Sequence, residues 1–471
     1  MKKNRRIVSL LLAAVLGTSG CTSLPGSHAP APAADLPRAF EAAAQPGVSS
    51  DPVPVRWWRL FDDPALDRHV ERALAANTDL RVALAQLEMA RGEQRRIGAA
   101  QWPAAIVESN LGSDPNGKQP STSIVPKTSY GLGVAVTYEV DLFGRLRDTA
   151  AAAMADSAAQ KAVADGVKVT VVADIIAAYI DVCGATEQIA LVREQIEALL
   201  RSRDLVSEQL RHGDASPLEL AQSNAALERV QASLPAYEAS LQSARNRLTV
   251  LQGQAPTASA ARAINCTALP TISSPLPVGD GAALLARRPD IREAERRVAA
   301  ATSRIGIATA ELYPKISFGA STGLLGGAID IFATPLVSWV FLNREAIHAK
   351  VAIARSGEQA ALAQWDGTVL RALQEVETVL SDYSAEVRRR DALEKAQAES
   401  VLALARARAR HQAGADPYLS VLDSERTLND TAQLLTGSRI RLAQLQVSLF
   451  RSLGGGWEAT DSSIASFRGK Y

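Results

Sequence analysis

Apolar positions recur along most of the chain with the period of an α-helix, and in two regions this period changes to that of a β-strand. Residues 73–112 align without a gap on residues 284–323. Because proline stops a helix, the helical stretch in each copy is expected to end at an aromatic-proline step, Trp102-Pro103 and Tyr313-Pro314. The chain therefore contains one structural unit twice.

Two strand-like stretches follow the proline in each copy. Apolar side chains alternate with small, polar or charged ones from Tyr130 to Asp141 and again from Lys315 to Leu324. Such alternation fits either a lipid-facing barrel wall or a half-buried sheet of a soluble protein. Four strands cannot close a membrane barrel, which needs about eight, so a membrane barrel would require several copies of the chain. We predict strands at about 104–113, 128–141, 315–325 and 333–342.

Very long helices follow the second strand of each copy, over about 146–211 and 344–411. Each would be roughly 100 Å long, a length that suits a coiled coil or a tube. Helices over 217–253 and 417–453 return from their far ends and complete two helical hairpins, 146–253 and 344–453. Apolar residues recur every seventh position in both, which indicates left-handed supercoiling: Leu220, Leu227, Leu234, Leu241 and Leu248, and Val421, Leu428, Leu435, Leu442 and Leu449. A plain leucine-zipper dimer is the alternative, but it leaves the paired strands unexplained.

Two shorter helices, 64–102 and 281–312, are expected to lead back to the strands over about half the length of the long ones. Non-helical segments would then collect at a waist. Each long helix ends in a tight turn, where glycine closes the incoming helix and a polar residue caps the outgoing one. We predict Ser216 and Asp416 as the N-caps. The predicted tip residues are Gly213, Asp214, Ser216 and Pro217 in the first turn, and Gly414, Asp416 and Pro417 in the second.

The N-terminus predicts export. Basic residues precede an apolar stretch over 7–16 that is too short to cross a bilayer. Thr18-Ser19-Gly20-Cys21 is similar to a lipobox, in which 1–20 is the signal peptide and Cys21 is acylated. Ordinary cleavage near Ala31 or Ala33 is the alternative. Thr22, and not aspartate, follows Cys21, which favours the outer membrane. A proline-rich linker then spans 21–56.

No later segment has the pattern of a transmembrane helix, so any membrane crossing is expected to be made by strands. Helix lengths bring Cys183 and Cys266 to the waist, roughly 45 Å and 55 Å from the first tip. Because the export signal leads to an oxidising compartment, we predict a disulfide between them. Two buried free thiols are the alternative.

Composition argues against an enzyme. The five histidines are scattered, without the spacing of a metal site, and no phosphate-binding glycine loop, GxSxG or CxxC motif occurs. The formal net charge of +1 becomes −3 when the four basic residues of 1–20 are removed, which gives no footprint for nucleic acid. We expect no metal and no cofactor, apart from a covalent lipid on Cys21. A coiled-coil adhesin or scaffold is the competing class, and it would not conduct ions.

These features resemble the outer-membrane factor of tripartite efflux pumps, the TolC and OprM type, and most closely its NodT-like lipoproteins, which are paired with resistance-nodulation-division (RND) transporters. The similarity covers nearly all of residues 50–455. Five stretches carry it: Trp57–Pro64, Leu142–Arg145, Leu285–Arg296, Tyr313-Pro314 and Leu422–Leu428.

The resemblance implies a mainly α-helical protein with membrane β-strands. Three copies would form a twelve-stranded β-barrel in outer-membrane lipid and a long α-helical barrel in the periplasm. The first repeat would span 57–265 and the second 266–455, followed by a tail over 456–471. The tips would dock on a periplasmic adaptor bound to an inner-membrane RND transporter, and drugs or other small toxic compounds would leave through the lumen. A type I secretion duct is the alternative within this class.

In that family an inward ring of leucine and acidic side chains narrows the periplasmic entrance. The matching residues here are Leu419, Asp423 and Arg426, whose i, i+4, i+7 spacing places them on one helix face. Three copies of Asp423 would repel one another. Pairing with Arg426, from the same chain or a neighbour, would hold the aperture closed. A solvated ion pair with little energetic effect is the alternative.

Overall fold

The computed structural model describes residues 47–110, 131–257, 264–266, 268–272, 274–279, 287–325, 328–339 and 343–456. The predicted signal peptide, Cys21, the linker up to residue 46 and the tail from residue 457 lie outside these ranges.

Eight α-helices can be followed in the described residues, after a short 3₁₀ helix at Trp57–Phe61. They are α1 Pro64–Ala76, α2 Thr78–Ala99, α3 Arg145–His212, α4 Pro217–Gln231, α5 Leu234–Leu251, α6 Pro289–Ala310, α7 Arg344–Gln412 and α8 Tyr418–Ser452. The strands are β1 Val48–Ser49, β2 Ala104–Asn110, β3 Gly131–Val140, β4 Leu276–Pro277, β5 Lys315–Leu325 and β6 Ala328–Ser338.

Strands β2, β3, β5 and β6 form one antiparallel sheet in that order. The β3–β5 register places Tyr138 opposite Phe318 and Val136 opposite Ala320, so the apolar positions of the two strands share a face. Strand β6 begins five residues before the predicted 333. Ile329 and Ile331 pair with β5, so the strand includes residues that the prediction had left between the two strands.

The helices that adjoin the strands repeat the order of the sheet. Helix α2 packs on α3, α3 on α6 and α6 on α7, and these helices adjoin β2, β3, β5 and β6 respectively. Towards the turns, α4 and α5 pack on α3, α3 packs on α8, and α8 packs on α7. The described chain is thus an open arc, with β2 and α2 at one edge and β6 and α7 at the other.

Two of the predicted helices are each interrupted. The helix predicted over 64–102 breaks at Asn77, whose side chain accepts a hydrogen bond from the Leu80 amide and donates one to the carbonyl of Leu251. The helix predicted over 217–253 breaks at residues 232–233. Pro235 lies in the first turn of α5 and has no amide hydrogen to donate, which weakens the helix there.

Helix α3 contains an 18-residue stretch that is apolar and long enough to cross a membrane, a feature the sequence prediction had not recognised. Most of this stretch, 72%, is buried inside the protein. Buried α3 residues such as Ile175, Ile176 and Ile180 belong to the main hydrophobic core. The stretch therefore has the surroundings of a core helix.

Candidate functional site

The two helix–helix turns have the same backbone design. Gly213 and Gly414 adopt positive φ values of 86° and 72°, a conformation that a side chain would strain. The amide of Asp214 donates to the carbonyl of Gln209 at 2.8 Å, and the amide of Ala415 donates to the carbonyl of Arg410 at 2.9 Å. These paired bonds are the C-terminal capping pattern that follows a left-handed glycine. The two turns therefore correspond at an offset of 201 residues.

The first outgoing helix is capped as predicted. The Ser216 hydroxyl accepts a hydrogen bond from the Glu219 amide, and the Glu219 carboxylate accepts one from the Ser216 amide, which makes a complete capping box. Pro217 is the first residue of α4.

The predicted N-cap at Asp416 is wrong. Pro417 occupies the N-cap position of α8, and no side chain caps this helix. The Asp416 carboxylate instead accepts two hydrogen bonds from the Arg410 guanidinium, at 2.6 and 2.9 Å. These bonds lower the pKa of Asp416.

The predicted gate residues lie on one exposed face at the start of α8. Leu419 is 56% exposed, and Asp423 and Arg426 are also exposed. Within the chain, Arg426 forms an ion pair with Asp430, with 3.9 Å between Nε and Oδ2. No ion pair of Asp423 is found among the described residues, so the pairing of Asp423 with its own Arg426 is not formed in this protomer. A pairing with a neighbouring chain stays a prediction.

The opposite side of α8 is buried between the two hairpins. Tyr418 and Val421 pack with Val206 of α3 and Leu404 of α7 in one apolar cluster. The Tyr418 hydroxyl and the Ser202 hydroxyl share a hydrogen bond of 2.8 Å, and burial raises the pKa of Tyr418.

Glu425 belongs to the same buried side and was not singled out by the sequence prediction. Its carboxylate accepts hydrogen bonds from Arg408 at 2.7 Å and from Ser202 at 3.4 Å. The sequence did contain a signal. Glu425 lies four residues after Val421 and three before Leu428, a position where the apolar stripe predicts a hydrophobic side chain.

Near the middle of α3, the structure joins Cys183 and Cys266 in a disulfide, with 5.2 Å between their Cα atoms. Cys183 is buried in the main core. The bond attaches the non-helical segment after α5 to α3. Part of this segment, β4, pairs in parallel with β1 near the start of the described chain.

Two of the motifs that carried the family resemblance, Trp57–Pro64 and Leu285–Arg296, make their contacts in this same region. Trp57 stacks on Phe450 of α8, with 4.7 Å between ring centroids, and its indole nitrogen donates to the carbonyl of Gly455. Asp63 caps α1 and also accepts a hydrogen bond from the Tyr179 hydroxyl at 2.8 Å. Burial raises the pKa of Tyr179.

Arg288 connects three helices in this region. Its guanidinium donates two hydrogen bonds to Asp290 of α6, one to Glu375 of α7 and one to the carbonyl of Ser452 at the end of α8. Arg288 of the 285–296 motif therefore joins the start of α6 to the middle of α7 and the end of α8.

An aromatic residue lies at the helix-side end of every strand of the four-stranded sheet. These residues are Trp102, Phe143, Tyr313 and Trp339, and all four are exposed. Tyr313 stacks on Phe143 with 4.6 Å between centroids, and the Trp339 indole donates to the carbonyl of Leu312. Aromatic residues at this position are typical of a membrane–water boundary.

Within the described ranges, no group of three or more histidine, cysteine, aspartate or glutamate side chains is placed to hold a metal ion. An open groove of about 740 Å³ lies between α6 and α7 and is lined by both charge signs, including Arg288, Glu293 and Arg371.

Comparison with known proteins identifies the family. The family model for outer membrane efflux proteins matches residues 69–254 and 282–455. The outer membrane protein OprJ of Pseudomonas aeruginosa is 31% identical over 484 residues, covering 98% of both chains. The pyoverdine export outer membrane protein OpmQ of Pseudomonas putida is 30% identical and covers 86% of this chain and 88% of its own.

The solved structure of the outer-membrane channel OprN superimposes with a TM-score of 0.82 at 30% identity, over 92% of this chain and all of OprN. The architecture, the motifs and the matches over nearly the whole length agree. This chain is a member of the outer membrane efflux protein family and has the fold of its outer-membrane channels.

Proposed function

We propose that three copies of this chain form a passive export duct, in which a twelve-stranded barrel crosses the outer membrane and a helical tunnel extends into the periplasm. The open edges of the protomer support this assembly. Strands β2 and β6 each have only one partner in the described sheet, and unpaired strand edges in a membrane have to be closed.

The strand directions fit closure by identical copies. The four strands alternate in direction, so β6 of one chain runs antiparallel to β2 of the next. The helical edges α2 and α7 would meet in the same way. The exposed aromatic residues at the helix-side strand ends mark the periplasmic boundary of the membrane, and acylated Cys21 would anchor the chain to the same leaflet.

The entrance is the tip of the helical tunnel. Leu419, Asp423 and Arg426 form the aperture ring, with Arg426 available to a neighbouring Asp423. The turns around Gly213 and Gly414 are the contacts for the periplasmic adaptor, because they lie at the ends of the longest helices. The waist stays fixed, held by the Cys183–Cys266 bond and the Arg288 contacts.

The cargo is proposed to be drugs or other small toxic compounds, delivered by an RND transporter through its adaptor. The efflux proteins matched along the full length support this route over a type I secretion duct. The duct makes and breaks no bond. Because a passive duct discriminates little between compounds, the transporter selects the cargo.

Purified protein in a planar bilayer tests the proposal. We expect unheated trimers that migrate more slowly on a denaturing gel than the monomers released by heating. We also expect a small resting conductance, and at least a twofold larger single-channel conductance for Asp423→Ala. Glu399→Ala, at an exposed carboxylate of α7 outside the ring, is the matched control for a general change of charge. A protein that never conducts would contradict the duct. A conducting protein in which Asp423→Ala has no effect would contradict only the aperture ring.

A further inference from the structure

Directly behind the proposed aperture ring, α8 buries one carboxylate between the two hairpins. Glu425 is 5% exposed. One of its oxygens, Oε1, accepts the hydrogen bonds from Arg408 and Ser202. The other oxygen, Oε2, is buried without a hydrogen-bond partner among the described residues. The carboxylate is therefore only half satisfied.

Glu425 connects three helices from both hairpins. It belongs to α8, Arg408 belongs to α7 of the same hairpin, and Ser202 belongs to α3 of the other hairpin. Ser202 is also hydrogen-bonded to Tyr418, about two turns closer to the tip than Glu425. This group of four side chains, the hairpin junction, lies within the apolar cluster of Val206, Leu404 and Val421.

The two members of the ion pair in the hairpin junction differ in their exposure to solvent. The Glu425 side chain is 6% exposed, whereas the Arg408 side chain is 48% exposed. Arg408 can therefore be hydrated if its partner is lost, but Glu425 cannot. Removing one partner of a buried pair leaves an uncompensated charge and is more damaging than neutralising the buried group itself.

The hairpin junction and the aperture ring are two sides of one helix. Tyr418, Val421 and Glu425 face the other hairpin, and Leu419, Asp423 and Arg426 face outwards. Both sets lie within the first three turns of α8. Because a helix of this length moves as a rigid body, a shift of its buried side displaces the ring.

We infer that Glu425 is a positioning residue for the aperture, and that its half-satisfied charge sets how firmly the second hairpin is held against the first. With Arg408 in place, the hairpins stay together and the ring stays narrow. An uncompensated Glu425 charge favours hydration of the junction, which separates the hairpins and widens the ring. This inference rests on the duct function proposed above.

Neutralising each member of the ion pair separately, and then both together, tests this inference in the full-length trimer. We expect Arg408→Gln to raise single-channel conductance at least twofold, because Glu425 remains buried without its cation. Glu425→Gln should conduct no more than the unmodified protein, because a neutral amide keeps the shape and removes the cost. The double variant should return to the conductance of Glu425→Gln, a rescue that simple loss of packing does not produce.

Arg439→Ala is the matched control. Arg439 and Glu394 form an ion pair between the same two helices at 3.3 Å, but both side chains are more than 40% exposed, so its loss should leave conductance unchanged. Trimer yield and helix content by circular dichroism establish that each variant folds. If Arg408→Gln does not fold, Arg408→Lys replaces it in both the single and the double variant, because lysine cannot reproduce the guanidinium contact with Glu425. Its conductance should rise, and adding Glu425→Gln should remove the rise.

Two outcomes would overturn the inference: Arg408→Gln conducting like the unmodified protein, or the double variant conducting as much as Arg408→Gln. Both presuppose that the unmodified trimer conducts. Absence of any conductance would instead refute the duct function itself.

Discussion

At the residue scale, the positions that accept the fewest side chains are those where backbone from distant segments comes into close contact. Gly253 has a φ of 70°, and a Cβ atom built there would lie 2.3 Å from the carbonyl oxygen of Ala76. The α5 end and the α1 end can meet only because this residue has no side chain. Its neighbour Gln252 donates to His69 in the same contact.

Gly253→Ala should therefore destabilise the protein by at least about 1–2 kcal/mol, the cost of the left-handed backbone alone. Gly92→Ala is the control, because Gly92 lies inside α2 with nothing within 4 Å of an added Cβ; it should stabilise by roughly 0.5–1 kcal/mol. Chemical denaturation followed by circular dichroism measures both. Equal effects would show that the close approach to Ala76 does not exist.

His69 makes the same region sensitive to pH. Burial lowers the pKa of His69, and its Nδ1 lies 2.9 Å from Nε2 of Gln252, as an acceptor in neutral imidazole. A group with a lowered native pKa contributes stability that is present above its unfolded pKa of about 6.5 and is lost as the pH falls through the native value. We expect the melting temperature to fall between pH 7.5 and pH 5, and to fall less in His69→Gln. His348→Gln, at an exposed histidine, should behave like the unmodified protein; an equal fall in all three would exclude His69 as the cause.

At the scale of elements, the two hairpins share a turn design but differ in how the outgoing helix begins. Ser216 caps α4 through a reciprocal pair with Glu219, whereas α8 begins without a side-chain cap. Sequence patterns found both turns because glycine and proline mark them. They misplaced the second cap because an aspartate before a proline fits both the cap and an ion pair, and only the neighbouring Arg410 decides between them.

Ser216→Ala should cost about 1 kcal/mol of local stability, the usual value for a lost N-cap, and Asp416→Ala should leave α8 unaffected. Amide hydrogen exchange over the first turns of α4 and α8 reports each helix separately. Faster exchange confined to α4 in Ser216→Ala is the expected result. Comparable acceleration of α8 in Asp416→Ala would mean that Asp416 caps this helix after all.

The disulfide acts on a larger element, because Cys183 and Cys266 are 83 residues apart and enclose most of the first hairpin. Closing a loop of that length contributes about 4.5 kcal/mol in the chain-entropy account. Replacing both cysteines with serine should lower the unfolding midpoint by a corresponding amount. Alkylation without reductant should add no mass at these positions, and modification of two thiols would contradict the bond.

At the scale of the whole molecule, periodicity was sufficient for most of the architecture. A change of period from 3.6 to 2 located four strands, and seven-residue repeats located the hairpins, because both patterns follow from one-sided burial. Interruptions such as Asn77 and the extended start of β6 depend on which segments meet in three dimensions. The same holds for Glu425, whose sequence position conflicts with the stripe that contains it and is understood only through Arg408 and Ser202.

The open arc of the protomer has a further consequence, in inheritance. In the proposed duct, the channel wall would form only where the edges of separate chains meet, so each channel would be built jointly by several chains. A variant that assembles but cannot pair its edge strand with the next chain would inactivate channels that also contain normal chains. When such a variant is co-expressed with normal chains, we expect the fraction of conducting channels to fall well below the fraction of normal chains, as in dominant-negative alleles. A variant unable to assemble would instead be recessive.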